Sequence, residues 1–232
     1  MTNDAAAAQT GGAPRVLAAG APTLSPYVIQ ARSSLAERRP RILKHGDTFG
    51  LFDPHGDIVA DGERAEGLYH CDTRHLSKLH LLVRGHPPIL LSSTVALDNA
   101  VMKADLTNPD IAEADRVVLG GDVLHLQRTR FLFEARLFER LSVRNFGVEP
   151  LDVELELAFA ADFADIFEAR GVARATRGAM RTERLGPDRL RIVYDGEDGT
   201  PRVTRLALTP VPVELEAEHA RFTLHLAAGA RA

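Results

Sequence analysis

The sequence predicts an all-β protein: a large antiparallel β-sandwich of supersandwich-like kind with one or two short helices. Three observations carry this. Apolar residues recur at a period of two along most of the chain, strand-length runs are separated by short Gly, Pro and Asp turns, and convincing helical periods are few.

The elements follow in order from Arg41. Thr48 to Asp53 is a strand, Pro54-His55-Gly56-Asp57 a turn, and Ile58-Val59-Ala60 the return. Leu76 to Val83 is the next strand. It carries Leu79, Leu81 and Val83 on one face and His80 and Leu82 on the other. Arg84 to Pro87 turns the chain, and Ile89-Leu90-Leu91 is expected to begin the partner strand. Leu151 to Phe163 is the clearest strand. Leu151, Val153, Leu155, Leu157, Phe159, Ala161 and Phe163 alternate with Asp152, Glu154, Glu156, Ala158, Ala160 and Asp162, giving one buried and one wet face. Its predecessor, Phe131 to Phe146, is expected to pair with it as a long hairpin across Asn145 to Pro150. Later strands are Leu190 to Tyr194, Val203 to Leu208 and Phe222 to Leu226. Ala112 to Val118 and Phe163 to Arg170 could each hold a helical turn.

The 45% hydrophobic content suits a chain with a real core. Residues 1–40 read as a disordered or loosely attached tail rich in Ala, Gly, Thr and Pro, with Tyr27-Val28-Ile29 as a possible edge strand. Residues 41–232 form the sandwich. The chain stops soon after a core strand, so either small residues fray there or a longer protein is truncated at that end.

With 28 basic and 32 acidic residues the formal net charge is −4, which gives no footprint for nucleic acid or an anionic membrane. The bases are 25 Arg and 3 Lys, a bias typical of a GC-rich bacterial genome. The one cysteine, Cys71, excludes an intrachain disulfide framework. No apolar run approaches the ~20 residues needed to span a bilayer, and the N-terminus lacks signal-peptide order. A cytoplasmic protein is expected.

Two clusters hold groups capable of chemistry. Gly67 to Ser77 reads GLYHCDTRHLS. A metal site on His70, Cys71 and His75 lacks a second ligand pair, and no metal or other cofactor is expected. A Cys71–His70 nucleophile pair is disfavoured because neighbours on a strand point apart. Asp72-Thr73-Arg74 reads most simply as a turn, with sugar contact as the sharper alternative. Asp162 to Gly171 reads DFADIFEARG, with three carboxylates in seven residues. Glycosidase chemistry needs two carboxyls about 5–10 Å apart across a bond. The structural alternative is a capped turn, with Asp162 as cap and Asp165 or Glu168 saturated by Arg170.

Together with LKHGDTFGLFDPHGDIVAD at Leu43 to Asp61, these stretches resemble the N-terminal domain of bacterial glycogen debranching enzymes of the amylo-α-1,6-glucosidase type. The resemblance covers about residue 40 to the C-terminus. It implies a β-sandwich preceding an (α/α)₆ barrel that carries the catalytic carboxylates. No catalytic residue is therefore expected in this chain. The resemblance transfers Tyr69, Asp72, Thr73, Arg74, Asp162, Asp165 and Arg170 as sugar-contact or domain-interface candidates. It implies a glycosidase barrel as partner, in cis or in trans, and α-glucan as a further one. It also implies that one sandwich edge packs on the barrel and helps shape the glucan cleft, and with the barrel missing one sheet face is expected to expose an apolar patch. The alternatives are a standalone glucan-binding or partner-binding protein, and an autonomous hydrolase using Asp72, Asp162 or Asp165. Lack of Trp argues for weak sugar stacking by the isolated chain.

Overall fold

The computed structural model describes residues 39–60, 65–114, 116–172, 174 and 176–232. The predicted N-terminal tail up to residue 38, Tyr27 to Ile29 within it, and Asp61 lie outside the described residues.

Every strand pairing is antiparallel, and the fold is all-β and sandwich-like. In chain order the strands are β1 (Arg41–His45), β2 (Thr48–Phe52), β3 (Ile58–Val59), β4 (Gly67–His70), β5 (Thr73–Leu76), β6 (Lys78–Val83), β7 (Ile89–Val95), β8 (Val101–Thr107) and β9 (Ile111–Glu113). They continue as β10 (Arg116–Leu119), β11 (Leu124–Phe133), β12 (Arg136–Asn145), β13 (Leu151–Ala160), β14 (Ala179–Arg184), β15 (Arg189–Asp195), β16 (Pro201–Ala207), β17 (Glu214–Leu215) and β18 (His219–Leu226).

Two sheets make the sandwich. One has the order β12-β11-β8-β7 and the other β17-β18-β13-β6-β3. Alternation dictates their inner faces. Met102, Ala104 and Leu106 of β8, with Leu124, Leu126 and Leu132 of β11, join Leu79, Leu81 and Val83 of β6 and Val153, Leu155 and Phe159 of β13 in one buried cluster. Two smaller sheets, β1-β2-β4-β5 and β14-β15-β16, and a β9–β10 hairpin complete the architecture.

Four expectations change. Ile89 to Leu91 does not partner β6; β7 pairs with β8 in the opposite sheet, while β6 lies between β13 and β3. The long hairpin is β11–β12, not Phe131–Phe146 with β13. Its turn, Glu134-Ala135, has positive φ at both residues (46° and 56°) without Gly or Asn, so the sequence carries no turn signal there. Asn145 to Pro150 instead carries the chain from one sheet to the other, where β13 meets β18 and β6. Of the predicted Ala112 to Val118 helical turn, Ala112–Glu113 and Arg116–Val118 instead lie in the bulged β9–β10 strand pair, and Asp115 lies outside the described residues. Among the described residues the only helical element is a 3₁₀ turn, Glu168–Arg170. No helix there is long and apolar enough to cross a membrane.

A charged quartet lies inside the sandwich. Arg128 and Arg130 alternate onto the inner face of β11, each 1% exposed. Both grip the Glu139 carboxylate of β12, Arg128 Nε at 2.7 Å and Arg130 Nη2 at 2.7 Å. Arg128 Nη1 also donates to Asp57 Oδ1 across the sandwich at 2.5 Å, and Arg130 donates to the Gly56 carbonyl. Asp57 Oδ1 in turn accepts the Leu81 amide at 3.1 Å. Burial favours a neutral Glu139, but the two guanidiniums outweigh it and hold its carboxyl down to about 2.

Candidate functional site

The two chemistry-bearing clusters meet. β4 and β5 form a hairpin closed by Cys71-Asp72, both at positive φ (45° and 60°). The turn is therefore one residue earlier than expected, and Thr73 and Arg74 already belong to β5. Against β5 lies the chain just after β13. The Arg74 amide donates to the Ala164 carbonyl at 2.8 Å, and Thr73 bridges Asp165.

Arg74 is the pivot. Its Nη2 meets Asp162 Oδ2 at 2.5 Å and its Nε meets Oδ1 at 3.1 Å, a bidentate pair. Burial opposes the charged guanidinium, yet Asp162 more than offsets it and raises its proton affinity. Gly67 is glycine because the Arg74 stem passes over it: a Cβ there would lie 2.5 Å from Arg74 Cδ.

Asp165 caps the turn that follows it. Its Oδ1 accepts the Phe167 and Glu168 amides at 2.8 Å each, and Glu168 Oε2 accepts the Asp165 amide at 2.9 Å. This reciprocal pattern is a capping box, readable in the Asp-x-x-Glu spacing. Those amides, with Arg174 beside them, hold the Asp165 carboxyl below its usual range. Its cationic partner is Arg174 at 2.6 Å, not Arg170. The cap is Asp165, not Asp162. Arg177 reaches Glu168 at 3.5 Å and donates to the Asp162 carbonyl at 2.6 Å. Sequence reasoning missed Arg174 and Arg177 because the segment from Gly171 to Gly178 has no period to place them.

An aromatic ladder backs the site. His75 meets His70 edge-on at 6.1 Å and Phe163 at 5.4 Å, and Phe163 stacks on Tyr194 at 5.5 Å. Phe163 sits at φ 49°, an uncommon conformation for a bulky residue, held here by the rings on either side. Burial, with the nearby His70, pushes the His75 imidazole down to about 4.

The candidates divide by exposure. Tyr69, Thr73 and Arg74 are buried. Tyr69 stacks on Phe49 at 4.7 Å and donates its hydroxyl to the Ala65 carbonyl at 2.9 Å. Asp162 and Asp165 are half-buried, while Asp72 and Arg170 are exposed. His70 and Cys71 do not point apart as strand neighbours would: the turn brings His70 Nε2 to 3.5 Å from Cys71 Sγ, and Thr48 Oγ1 holds Nδ1 at 2.8 Å. Among the described residues no three His, Cys, Asp or Glu side chains converge as a metal site would require. An open cleft of about 440 Å³ lies elsewhere, lined by Arg41, Ile42, Ser93 and Asn99, and includes none of the candidates.

What the arrangement does chemically is lock together two chain segments. Asp162 is committed to a guanidinium and Asp165 to two amides and a second guanidinium. A family model described as the N-terminal domain of (some) glycogen debranching enzymes matches residues 43–232. No curated protein matches the chain.

Proposed function

The chain belongs to the family of N-terminal domains of glycogen debranching enzymes, and from that membership we propose that it is the non-catalytic sandwich module of an α-glucosidase, packing on an (α/α)₆ catalytic barrel and helping to shape its α-glucan cleft. The family match over 43–232 carries this reading. The engagement of Asp162 and Asp165 in structural bonds supports it, because a carboxylate saturated by Arg and amides is a poor proton donor and a poor nucleophile.

In this reading residues 41–232 are the working module. Asp72, Asp165 and Arg170, at the outer end of the β4–β5 hairpin and the capped turn, meet the barrel or the glucan. Tyr69, Thr73, Arg74 and Asp162 hold that end in shape from beneath. The protein works in a bacterial cytoplasm, where an exposed lone thiol such as Cys71 stays reduced.

Two measurements test the proposal. The purified chain releases no glucose from branched or linear α-glucan, even at high concentration. Mixed with the separately expressed glycosidase domain of a debranching enzyme that carries this module, it forms a one-to-one complex by sedimentation velocity. Turnover by the chain alone that is lost in Asp165→Asn, or no complex, would overturn it.

A further inference from the structure

The outer faces of the two sandwich sheets differ in chemistry. On the β13–β18 side, most outward charges are matched: Arg221 meets Glu156 and Glu214, and His225 meets Asp152, leaving Glu154 alone among the described residues. Such a face is at home in water. The outer face of β12-β11-β8-β7 is not built that way. Phe131 and Phe133 of β11 and Phe138 of β12 are 42, 50 and 40% exposed, and Phe146 just beyond β12 is 57% exposed. Phe131 and Phe138 are cross-strand neighbours whose rings stack at 4.6 Å.

Around these rings stand Lys103, Arg136, Arg140 and Arg144, all exposed. Register places the four on the same side as Phe131 and Phe138. Among the described residues none of them meets a carboxylate; Arg144 lies only over the Phe146 ring at 4.6 Å. Asp105, the carboxylate on this face, is already shared by His125, Gln127 and Ser92.

We infer that this face of β12-β11-β8-β7 is a docking surface for the glycosidase domain in addition to the β4–β5 end, and that the domain presents to it a carboxylate-bearing surface with an apolar centre. The inference rests on the proposed function for the identity of the partner; the face and its chemistry come from the side chains. Exposed Phe with Arg is the composition of protein interfaces, in which aromatic residues and Arg are enriched. The unmatched cations set the sign of the partner. They also disfavour a second copy of this chain, since two such faces would bring like charges together. A neutral glucan would leave the four charges unanswered.

The test uses the 232-residue chain and the glycosidase domain described above. Arg140→Glu and Phe138→Ala alter exposed side chains, and Glu154→Lys on the outer face of β13 is the control. The wild type and Glu154→Lys are expected to bind alike, with affinity falling as salt is raised. Each of the two outer-face variants should weaken binding about tenfold or more. A complex that persists within twofold in both variants overturns the inference while leaving the proposed function standing. Absence of any complex overturns both. Concentration-dependent dimers of the chain abolished by Phe138→Ala, or glycogen binding abolished by it, would assign the face to another occupant and overturn the inference.

Discussion

Arg74 and Asp162, 88 residues apart, close a bidentate ion pair that ties the β4–β5 hairpin to the chain leaving β13. The Arg74 side chain is 9% exposed and that of Asp162 27%. An orphaned guanidinium at that depth is costly, because the pair's attraction is what offsets its desolvation.

Asp162→Ala should therefore destabilise the protein by roughly 2–3 kcal/mol, less than the ~3–5 kcal/mol of a fully buried pair because Asp162 is partly wet. Urea unfolding followed by far-UV circular dichroism measures this. A change within about 0.5 kcal/mol, the usual size of a surface substitution, would mean that the pair does not hold the site together.

Gly67→Ala should cost about 1–3 kcal/mol, because its methyl would overlap the Arg74 stem. In an Arg74→Ala background the nearer obstacle is gone, leaving only the Leu76 carbonyl at 3.0 Å, so the larger part of that cost should vanish. The double-mutant cycle reads the coupling directly; purely additive costs would mean that Gly67 is required for another reason.

Glu139 is held down to about 2 in the folded protein, against a usual value near 4.5. Its contribution is complete above about pH 4.5 and is lost as pH falls through 2, because only the unfolded chain takes up the proton across that range. Glu139→Gln should lower stability by roughly 3 kcal/mol at neutral pH. The gap between wild type and variant should narrow on acidification toward pH 2. A gap independent of pH would contradict the assignment.

His75 shifts stability over a different window. Its folded value of about 4 lies below the ordinary 6.5. Between these values the unfolded chain binds the proton and the folded one does not, so stability falls as pH drops from 6.5 to 4 and then levels off. The whole effect is at most about 3 kcal/mol. His75→Gln should flatten that part of the pH–stability curve; an unchanged slope would point to another group.

How far the sequence was legible depends on what each residue answers to. β6 and β13 were readable because alternation is local: Leu79, Leu81 and Val83, or Val153 and Leu155, declare their faces without reference to a partner. Partner choice was not, since β6 finds β13 across a long stretch of chain while β7 crosses to the other sheet. The β11–β12 turn hid because Glu134 and Ala135 adopt left-handed backbone that neither residue advertises. The quartet hid for a related reason. Arg128, Arg130 and Glu139 resemble the charges of a wet strand face until the register sets them inward. At the site, both clusters could be found from composition, but not that Arg74 would take Asp162 or that Arg174 would replace Arg170 beside Asp165.

The quartet also bears on how the molecule comes apart. Arg128 and Arg130 find their carboxylates on two different layers: Glu139 beside them on β12, and Asp57 leading into β3. Arg128 can make its ion pair to Asp57 only when both layers stand together; with one layer gone it keeps just Glu139, shared with Arg130, so the docking of each layer and the neutralisation of this charge are one and the same event.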